Sequence, residues 1–176
     1  EIGTVRTLSG TATVQRGGAS QPLGSGEPVF QGDLIETGAG SSLGIILRDN
    51  TVFSLSAGAR MVMNELVYDP ARTDNSMAVN LVQGTFVFIT GQVAKTGTIA
   101  VTTPVATMGI RGTAVLVEID FEVPGQGGAP AAKFQVLVEP NGTTGSYVLI
   151  DRVTGTQIAT VDQAGQVALI SNGNVN

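Results

Sequence analysis

The stretch Val101–Val117, VTTPVATMGIRGTAVLV, decides the fold, because two strand-like segments in it flank a short apolar arm. Pro104 cannot donate a backbone hydrogen bond and keeps the preceding residue extended, so the first strand is predicted to end at Thr103-Pro104. The arm that follows, Val105–Ile110, is predicted to run to a glycine-flanked arginine, after which a second strand begins. A charge inside such an apolar run requires a partner or a structural reason.

Arg111 lies between Gly109 and Gly112, where the backbone can adopt positive φ or approach another segment closely. An arginine in this position can donate up to five hydrogen bonds to nearby acceptors. We interpret it as a structural residue that holds a corner before the strand starting at Thr113; the alternative is contact with a partner or ligand. Arg111→Ala is accordingly predicted to reduce stability.

The rest of the chain repeats short strand patterns about every ten residues, separated by glycine-rich turns. Arg48-Asp49-Asn50 is predicted to form a hairpin turn. Gln83-Gly84 is predicted to separate strands Met77–Leu81 and Thr85–Thr90, and Gln92–Gly97 is predicted to be another turn. The predicted fold class is all-β, a jelly roll, β-sandwich or short β-solenoid with hairpins at its C-terminal end.

The composition excludes several classes of function. The chain has 176 residues and lacks histidine and cysteine, which excludes disulfides, thiolate metal sites and histidine-activated nucleophiles. Its net charge of -5 argues against nucleic-acid binding, which requires a basic face. Only 13% of the residues are charged, so either neutral polar side chains cover the surface or a partner buries part of it.

The carboxylates do not form a pattern that indicates a catalytic or metal site. Asp33 and Asp49 lie next to turn residues, where aspartate commonly caps backbone N–H groups. The loop containing Asp69, Asp74 and Asn75 could hold Ca²⁺ only with help from carbonyl groups, and its spacing matches no established calcium loop. We therefore predict no catalytic residue, no metal and no cofactor, and keep a hydrolase only as a remote alternative.

Five motifs together resemble the FecR domain family: GTVRTLSGTATVQRGG, FQGDLIETG, SSLGIILRDNTVFSLSAGARM, LVQGTF and VTTPVATMGIRGT. They follow one another in order over about residues 3–117, and the last motif is the most specific. The residues assigned to the structural signature of this resemblance are Asp33, Pro104, Gly109, Arg111, Gly112 and Thr113.

The resemblance implies an extracytoplasmic all-β domain without catalytic activity. The founding members of the family receive a signal in the periplasm and regulate a sigma factor through a cytoplasmic segment, and no such segment or membrane helix is evident here. We expect a processed, secreted or periplasmic bacterial protein. The predicted divisions are a FecR-like domain at 1–123, a Gly/Pro/Ala-rich linker at 124–132 and a β-strand extension at 133–176.

Two functions remain open. Low charge and high Val/Thr content favour a structural protein that self-associates through strand edges, as a filament or surface-layer subunit. The strand Gln166–Ile170 is one candidate for pairing with another copy, and the candidate N-terminal assembly residues are Val5, Thr7, Ala12 and Val14. The alternative is a periplasmic module that binds another protein and transmits a signal. Neither function involves nucleic acid or a transmembrane segment.

Overall fold

The computed structural model describes residues 1–111, 116–121, 132–137, 147–151, 154, 156–161, 166–171 and 174–175. Most of these residues are in β-strands and only five are helical, which confirms the predicted fold class. The elements in chain order are β1 (Gly3–Ser9), β2 (Ala12–Arg16), β3 (Ala19–Pro22), β4 (Pro28–Val29), β5 (Leu34–Thr37), β6 (Ser42–Leu47), β7 (Val52–Leu55), β8 (Arg60–Val67), β9 (Ser76–Ile89), α1 (Gln92–Thr96), β10 (Thr98–Thr102), β11 (Ala106–Arg111), β12 (Leu116–Phe121), β13 (Ala132–Leu137), β14 (Tyr147–Asp151), β15 (Gln157–Val161), β16 (Val167–Ser171) and β17 (Asn174–Val175).

The strands form two sheets that share β9. Sheet A has the order β4-β1-β6-β7-β9-β12-β13-β16-β17. Sheet B has the order β3-β2-β5-β8-β9-β10-β11-β14-β15. Among the described pairings only β9–β10 is parallel, because α1 carries the chain back to the start of β9 between them. Apart from the first pair in each sheet, β4-β1 and β3-β2, the strands of both sheets follow one another in chain order.

Strand β9 is continuous through Gly84, so the prediction of two separate strands around Gln83-Gly84 is wrong. Gly84 has φ of 107°, and a Cβ there would lie 2.6 Å from the Cα of Ala59. The glycine bends the strand without reversing it. Residues before the bend pair within sheet B and residues after it pair within sheet A.

The core lies between the inner faces of the two sheets, where buried residues alternate with outward-facing ones along most strands. Sheet A contributes four fully buried phenylalanines, and the rings of Phe53 and Phe88 pack at a centroid distance of 5.2 Å. Sheet B contributes mainly methionine and branched aliphatic side chains, among them Met61 and Ile99. The strand alternation in the sequence thus corresponds to one shared core.

Two local predictions near Val101–Val117 require correction. The apolar arm is strand β11, which turns back at Pro104 and pairs with β10 in antiparallel register, Val101 opposite Met108. The segment predicted as a turn at Gln92–Gly97 contains α1, a five-residue helix with Val93 and Ala94 buried. Strand β11 also pairs with β14, and α1 is joined to Asp49, and local sequence patterns do not report such distant contacts.

The later strands continue the two sheets. Hairpins β12–β13, β14–β15 and β16–β17 alternate between sheet A and sheet B, which confirms the predicted C-terminal hairpins. Strand β13 begins at Ala132, which the sequence had assigned to the linker, and residues 122–131 lie outside the described part. The domain divisions remain a prediction. No helix within the described residues has the length and apolarity to cross a bilayer.

Candidate interaction surface

The turn at Pro104 is organised by Thr103, which is fully buried. Its hydroxyl donates to the carbonyl of Ala106 at 2.8 Å and accepts the N–H of Ala106 at 3.1 Å. Its backbone N–H donates to the same carbonyl at 2.9 Å. This one hydroxyl pairs with both the N–H and the carbonyl of Ala106, so neither group is left without a hydrogen bond inside the protein. In this structure the TTPVA motif is therefore a hairpin closure.

Two further signature residues, Gly109 and Arg111, lie on β11 in sheet B. Gly109 faces outward on β11, and a Cβ there would lie 3.3 Å from Cγ2 of Val148. Arg111 is the last residue of β11 and its backbone pairs opposite Thr98. The predicted roles of Gly112 and Thr113, and of the Arg111 side chain, fall outside the described residues. The corner role of Arg111 remains a prediction.

Asp33 is 1% exposed and holds an ion pair that sequence reasoning missed. Its carboxylate accepts hydrogen bonds from Nε of Arg16 at 2.8 Å and from Nη2 of Arg16 at 2.7 Å. It also accepts one from the N–H of Phe30 at 2.9 Å. The Arg16 guanidinium lies 4.3 Å from the centroid of the Phe30 ring. The carboxylate, mainly through its hydrogen bond, raises the pKa of Arg16. Asp33 therefore caps its turn and also anchors β2.

Asp49 is fully buried and takes its donors from neutral groups in the described part of the chain. Its carboxylate accepts the N–H and hydroxyl of Thr51 at 3.1 and 2.8 Å and the N–H of Val93 at 3.1 Å. Its backbone carbonyl accepts the N–H of Gln92 at 2.8 Å. The hairpin turn predicted at Arg48–Asn50 therefore also supplies acceptors for the first N–H groups of α1. These hydrogen bonds explain how a helix of only five residues is stabilised.

The acidic loop after β8 is not built as a cation site. The Asn75 side chain accepts the N–H of Asp69 and donates to the carbonyls of Asp69 and Arg72, at distances of 2.9 to 3.1 Å. Asp74 pairs with Arg72. These hydrogen bonds occupy the oxygens that a calcium ion would need. Within the described ranges, no three acidic, histidine or cysteine residues are placed to hold a metal.

The predicted N-terminal assembly residues are largely part of the core. Val5, Ala12 and Val14 are buried, whereas Thr7 is exposed on the outer face of sheet A. Strand β2 pairs with β3 and β5, whereas β1 pairs with β6 along most of its length and with β4 only at Gly3 and Thr4. The structure gives these residues a place in the fold, and their role in assembly stays a prediction.

Tyr147 is a buried polar group that sequence reasoning did not single out. Its ring is 2% exposed, and its hydroxyl has no hydrogen-bond partner within the described structure. Burial raises the pKa of Tyr147 well above its usual value, because an interior site disfavours the phenolate. A hydroxyl in this state serves packing, and no proton acceptor is described beside it.

The outer face of sheet B carries an uncharged area that we call the neutral face. Register places its residues in two rows across β9, β10, β11 and β14. The rows are Ala78, Ala100, Gly109 and Val148, and beside them Asn80, Thr102, Thr107 and Ile150. All eight are half-buried and none is charged. Alanine or glycine occupies three of the eight positions, and removing water from uncharged side chains costs less than removing it from charged ones.

The hollows identified in the structure are small and open. One of about 190 Å³ lies over Gly44 on sheet A, and one of about 160 Å³ lies beside Arg16 at the β3 end. Ligand clefts commonly enclose about 300–1,000 Å³. The polar groups beside Arg16 are Gln21 and the carboxylate of Glu27, and those over Gly44 are hydroxyls, so neither hollow pairs a nucleophile with a base. The neutral face is consequently the best candidate for function in the described part.

Two signals in the sequence pointed toward the missed contacts. Arg16 follows Val14 by two residues on an alternating strand, so it faces inward and needs an acidic partner. Asp49 precedes Thr51 in a turn whose neighbouring strands are both buried. Neither signal identifies the partner, because Arg16–Asp33 spans 17 residues and Asp49–Val93 spans 44.

Comparisons with known proteins agree with the fold. Two solved structures, at 1.65 and 2.50 Å resolution, carry the description "putative anti-sigma factor" from Parabacteroides distasonis ATCC 8503. Each is 15% identical to this chain with a TM-score of 0.53 over 81% of it. The chain spans 57% and 56% of the length of those proteins. At this identity the likeness concerns the fold alone. No curated protein matches the chain.

A protein family matches residues 33–137 and is described as "FecR protein". The matched range is more than half of the chain and runs from the buried Asp33 through β13. It starts and ends later than the range of about 3–117 carried by the sequence motifs, so it includes the hairpin beyond the VTTPVATMGIRGT stretch. The resemblance seen in the sequence is confirmed, and the chain belongs to the FecR protein family.

Proposed function

We propose that this protein is an extracytoplasmic FecR-type module that binds another protein and takes part in signal transduction. The observation that carries the proposal is the neutral face on a chain that belongs to the FecR family. The description of the structural neighbours as anti-sigma factors supports the same direction. Between the two functions left open by the sequence, these findings favour the signalling module over the filament subunit.

The physical argument concerns the cost of removing water from the surface. A protein partner that covers Ala100 and Gly109 displaces water from apolar or weakly polar groups and buries no unpaired charge. Charged side chains border this area, with Arg60 paired to Glu36 at 3.0 Å and Glu65 accepting the hydroxyl of Ser76 at 2.8 Å. An uncharged centre with a polar border is the usual composition of a protein–protein interface.

The absence of a catalytic role is part of this proposal. The chain has no histidine or cysteine, and neither of the two hollows described above pairs a nucleophile with a base. A binding module requires only a stable sheet that presents a surface, and the two-sheet core provides such a support.

An extracytoplasmic location is equally a proposal. An alkaline phosphatase fusion, active only outside the cytoplasm, tests it in the source organism.

The binding proposal is tested by introducing a photo-crosslinking amino acid at Ala100 in cells of the source organism. We expect one discrete adduct with an envelope protein, because Ala100 lies at the centre of the neutral face. Ser54 is the matched control, since it is exposed on the outer face of sheet A. Equal adducts at both positions, or none at Ala100, would contradict the assignment.

The signalling part has its own readout. Ala100→Glu inserts one charge into the neutral face, whereas Ser54→Glu inserts the same charge on the opposite sheet. We expect Ala100→Glu to change the set of transcripts controlled by this protein toward that of a deletion strain, and Ser54→Glu to leave it unchanged. A folded Ala100→Glu protein at normal abundance with wild-type transcripts would reject the proposal.

A further inference from the structure

The two ends of the sandwich differ in how their edge strands are protected. At the N-terminal end, β3 has only four residues and finishes at Pro22, and β4 has two residues and begins at Pro28. The exposed half of β1 carries Arg6 at a β-bulge. Short strands, proline, bulges and charge are the features that prevent edge-to-edge pairing.

The C-terminal end has little of this protection. Strand β15, Gln157–Val161, contains no charge and no proline, and a bulge near Ile158 is its one irregularity. Within the described residues it pairs with β14 alone. The large hydrophobic side chains of Val167 and Leu169 on β16, at this same end, are 41% and 46% exposed.

One hydrogen bond shows how the edge of β15 is held in the single chain. The backbone carbonyl of Thr160 accepts Nε2 of Gln166 at 3.1 Å, and the Thr160 side chain is exposed. A side-chain amide occupies the position that a strand N–H takes in a sheet. An added strand can therefore replace this donor without leaving the carbonyl unpaired.

We propose that β15 is the pairing edge of a symmetric homodimer of this protein. A two-fold axis normal to the sheets places β15 of one copy antiparallel to β15 of the other and extends sheet B across the junction. Since the strand is uncharged, no like charges meet across the axis. A two-fold contact uses the same edge in both copies, so the assembly closes as a dimer and does not extend as a filament.

This arrangement is independent of the neutral face, which lies on the surface of sheet B and not at its edge. It also sharpens the self-association expected from the low charge of the chain. The candidate strand moves from the N-terminal residues, of which Val5, Ala12 and Val14 are buried in the core, to Gln157–Val161.

The purified full chain tests the proposal, because it has no cysteine that could interfere with engineered ones. Thr160→Cys should give a disulfide-linked dimer under mild oxidation, and Ser20→Cys on β3 should not. In sedimentation experiments, Thr160→Lys should raise the dimer dissociation constant about tenfold or more, whereas Ser20→Lys should leave it unchanged. Circular dichroism and melting temperature verify that the variants are folded.

Three outcomes would overturn the proposal. The first is a monomer at every concentration up to the solubility limit. The second is a dimer that resists Thr160→Lys and gives no disulfide at position 160. The third is a polymer that Ser20→Lys disrupts, since this result would place β3 in a head-to-tail contact. A dimer sensitive only to changes in β15 supports the assignment.

Discussion

Arg16 and Asp33 meet through two hydrogen bonds of 2.8 and 2.7 Å, and the carboxylate of this pair is 1% exposed. The pair connects the end of β2 to the turn that precedes β5, while β2 and β5 are also neighbours in sheet B. A bidentate arginine–carboxylate contact is among the stronger polar interactions in proteins. The family match begins at Asp33, and the structure identifies its role as support for the sheet.

Asp33→Ala should lower the free energy of unfolding by about 3 kcal/mol, because it leaves the guanidinium of Arg16 and the N–H of Phe30 without their acceptor. Urea unfolding monitored by circular dichroism measures the loss. Asp74→Ala is the matched control, since the Arg72–Asp74 pair is fully exposed and should make no measurable contribution. Equal effects of the two changes would contradict a structural role for Asp33.

Asp49→Asn should also destabilise the protein, by about 2 kcal/mol, although the side chain keeps its shape. The amide has one acceptor oxygen where the carboxylate has two, so a donor from Thr51 or Val93 loses its partner. Hydrogen exchange should show faster opening of α1 in particular. Asp69→Asn is the control, because the exposed Asp69 accepts the N–H of Ala71 and an amide oxygen can replace it. Unchanged hydrogen exchange in α1 would contradict the role of Asp49 in holding the start of that helix.

Gly84→Ala should destabilise the protein by about 3 kcal/mol, since the residue has φ of 107° and its Cβ would meet the backbone of Ala59. Gly40→Ala separates strain from crowding. Gly40 has φ of 62° with open space around it, so the change should cost only about 1 kcal/mol. Thermal unfolding of both variants measures the difference, and similar melting temperatures would show that the bend tolerates a side chain.

Tyr147 should remain protonated in the folded protein at a pH where an unfolded tyrosine ionises, because burial raises its pKa. The neutral form is favoured in the fold, so this contribution to stability is present below about pH 10 and is lost as the pH rises above it. The difference in tyrosinate absorbance between the wild-type protein and Tyr147→Phe reports the ionisation of Tyr147. This difference should appear only as the native protein unfolds. A Tyr147 signal from folded protein near pH 10 would contradict the burial.

Removing the unpartnered hydroxyl itself should do little harm. Tyr147→Phe keeps the ring and removes a buried polar group, so the free energy of unfolding at neutral pH should stay the same or rise by about 1 kcal/mol. Chemical denaturation at neutral pH measures this effect separately from the pH titration. A clear loss of stability would show that the hydroxyl has a hydrogen-bond partner.

Most of the individual strands could be predicted from the sequence, because side-chain alternation and turn residues act over a few positions. The turn at Arg48–Asn50 is an example, with Asn50 at φ of 68° between β6 and β7. Around Gly84 the same reasoning failed, since a glycine between two strand patterns is compatible with a turn or with a bend. The proximity of Ala59 and the change of sheet decide between them, and both are tertiary facts.

The sequence by itself determined the all-β class, the FecR family and the exclusion of histidine and cysteine chemistry, because these follow from composition, short periodicities and motifs that local residues carry. Only the tertiary structure decided that Asp33 is buried against Arg16, that Asp49 begins α1 and that β15 pairs with β14 alone among the described strands. Each of these depends on which distant strands become neighbours. The core formed by both sheets determines that arrangement, and no local segment specifies it.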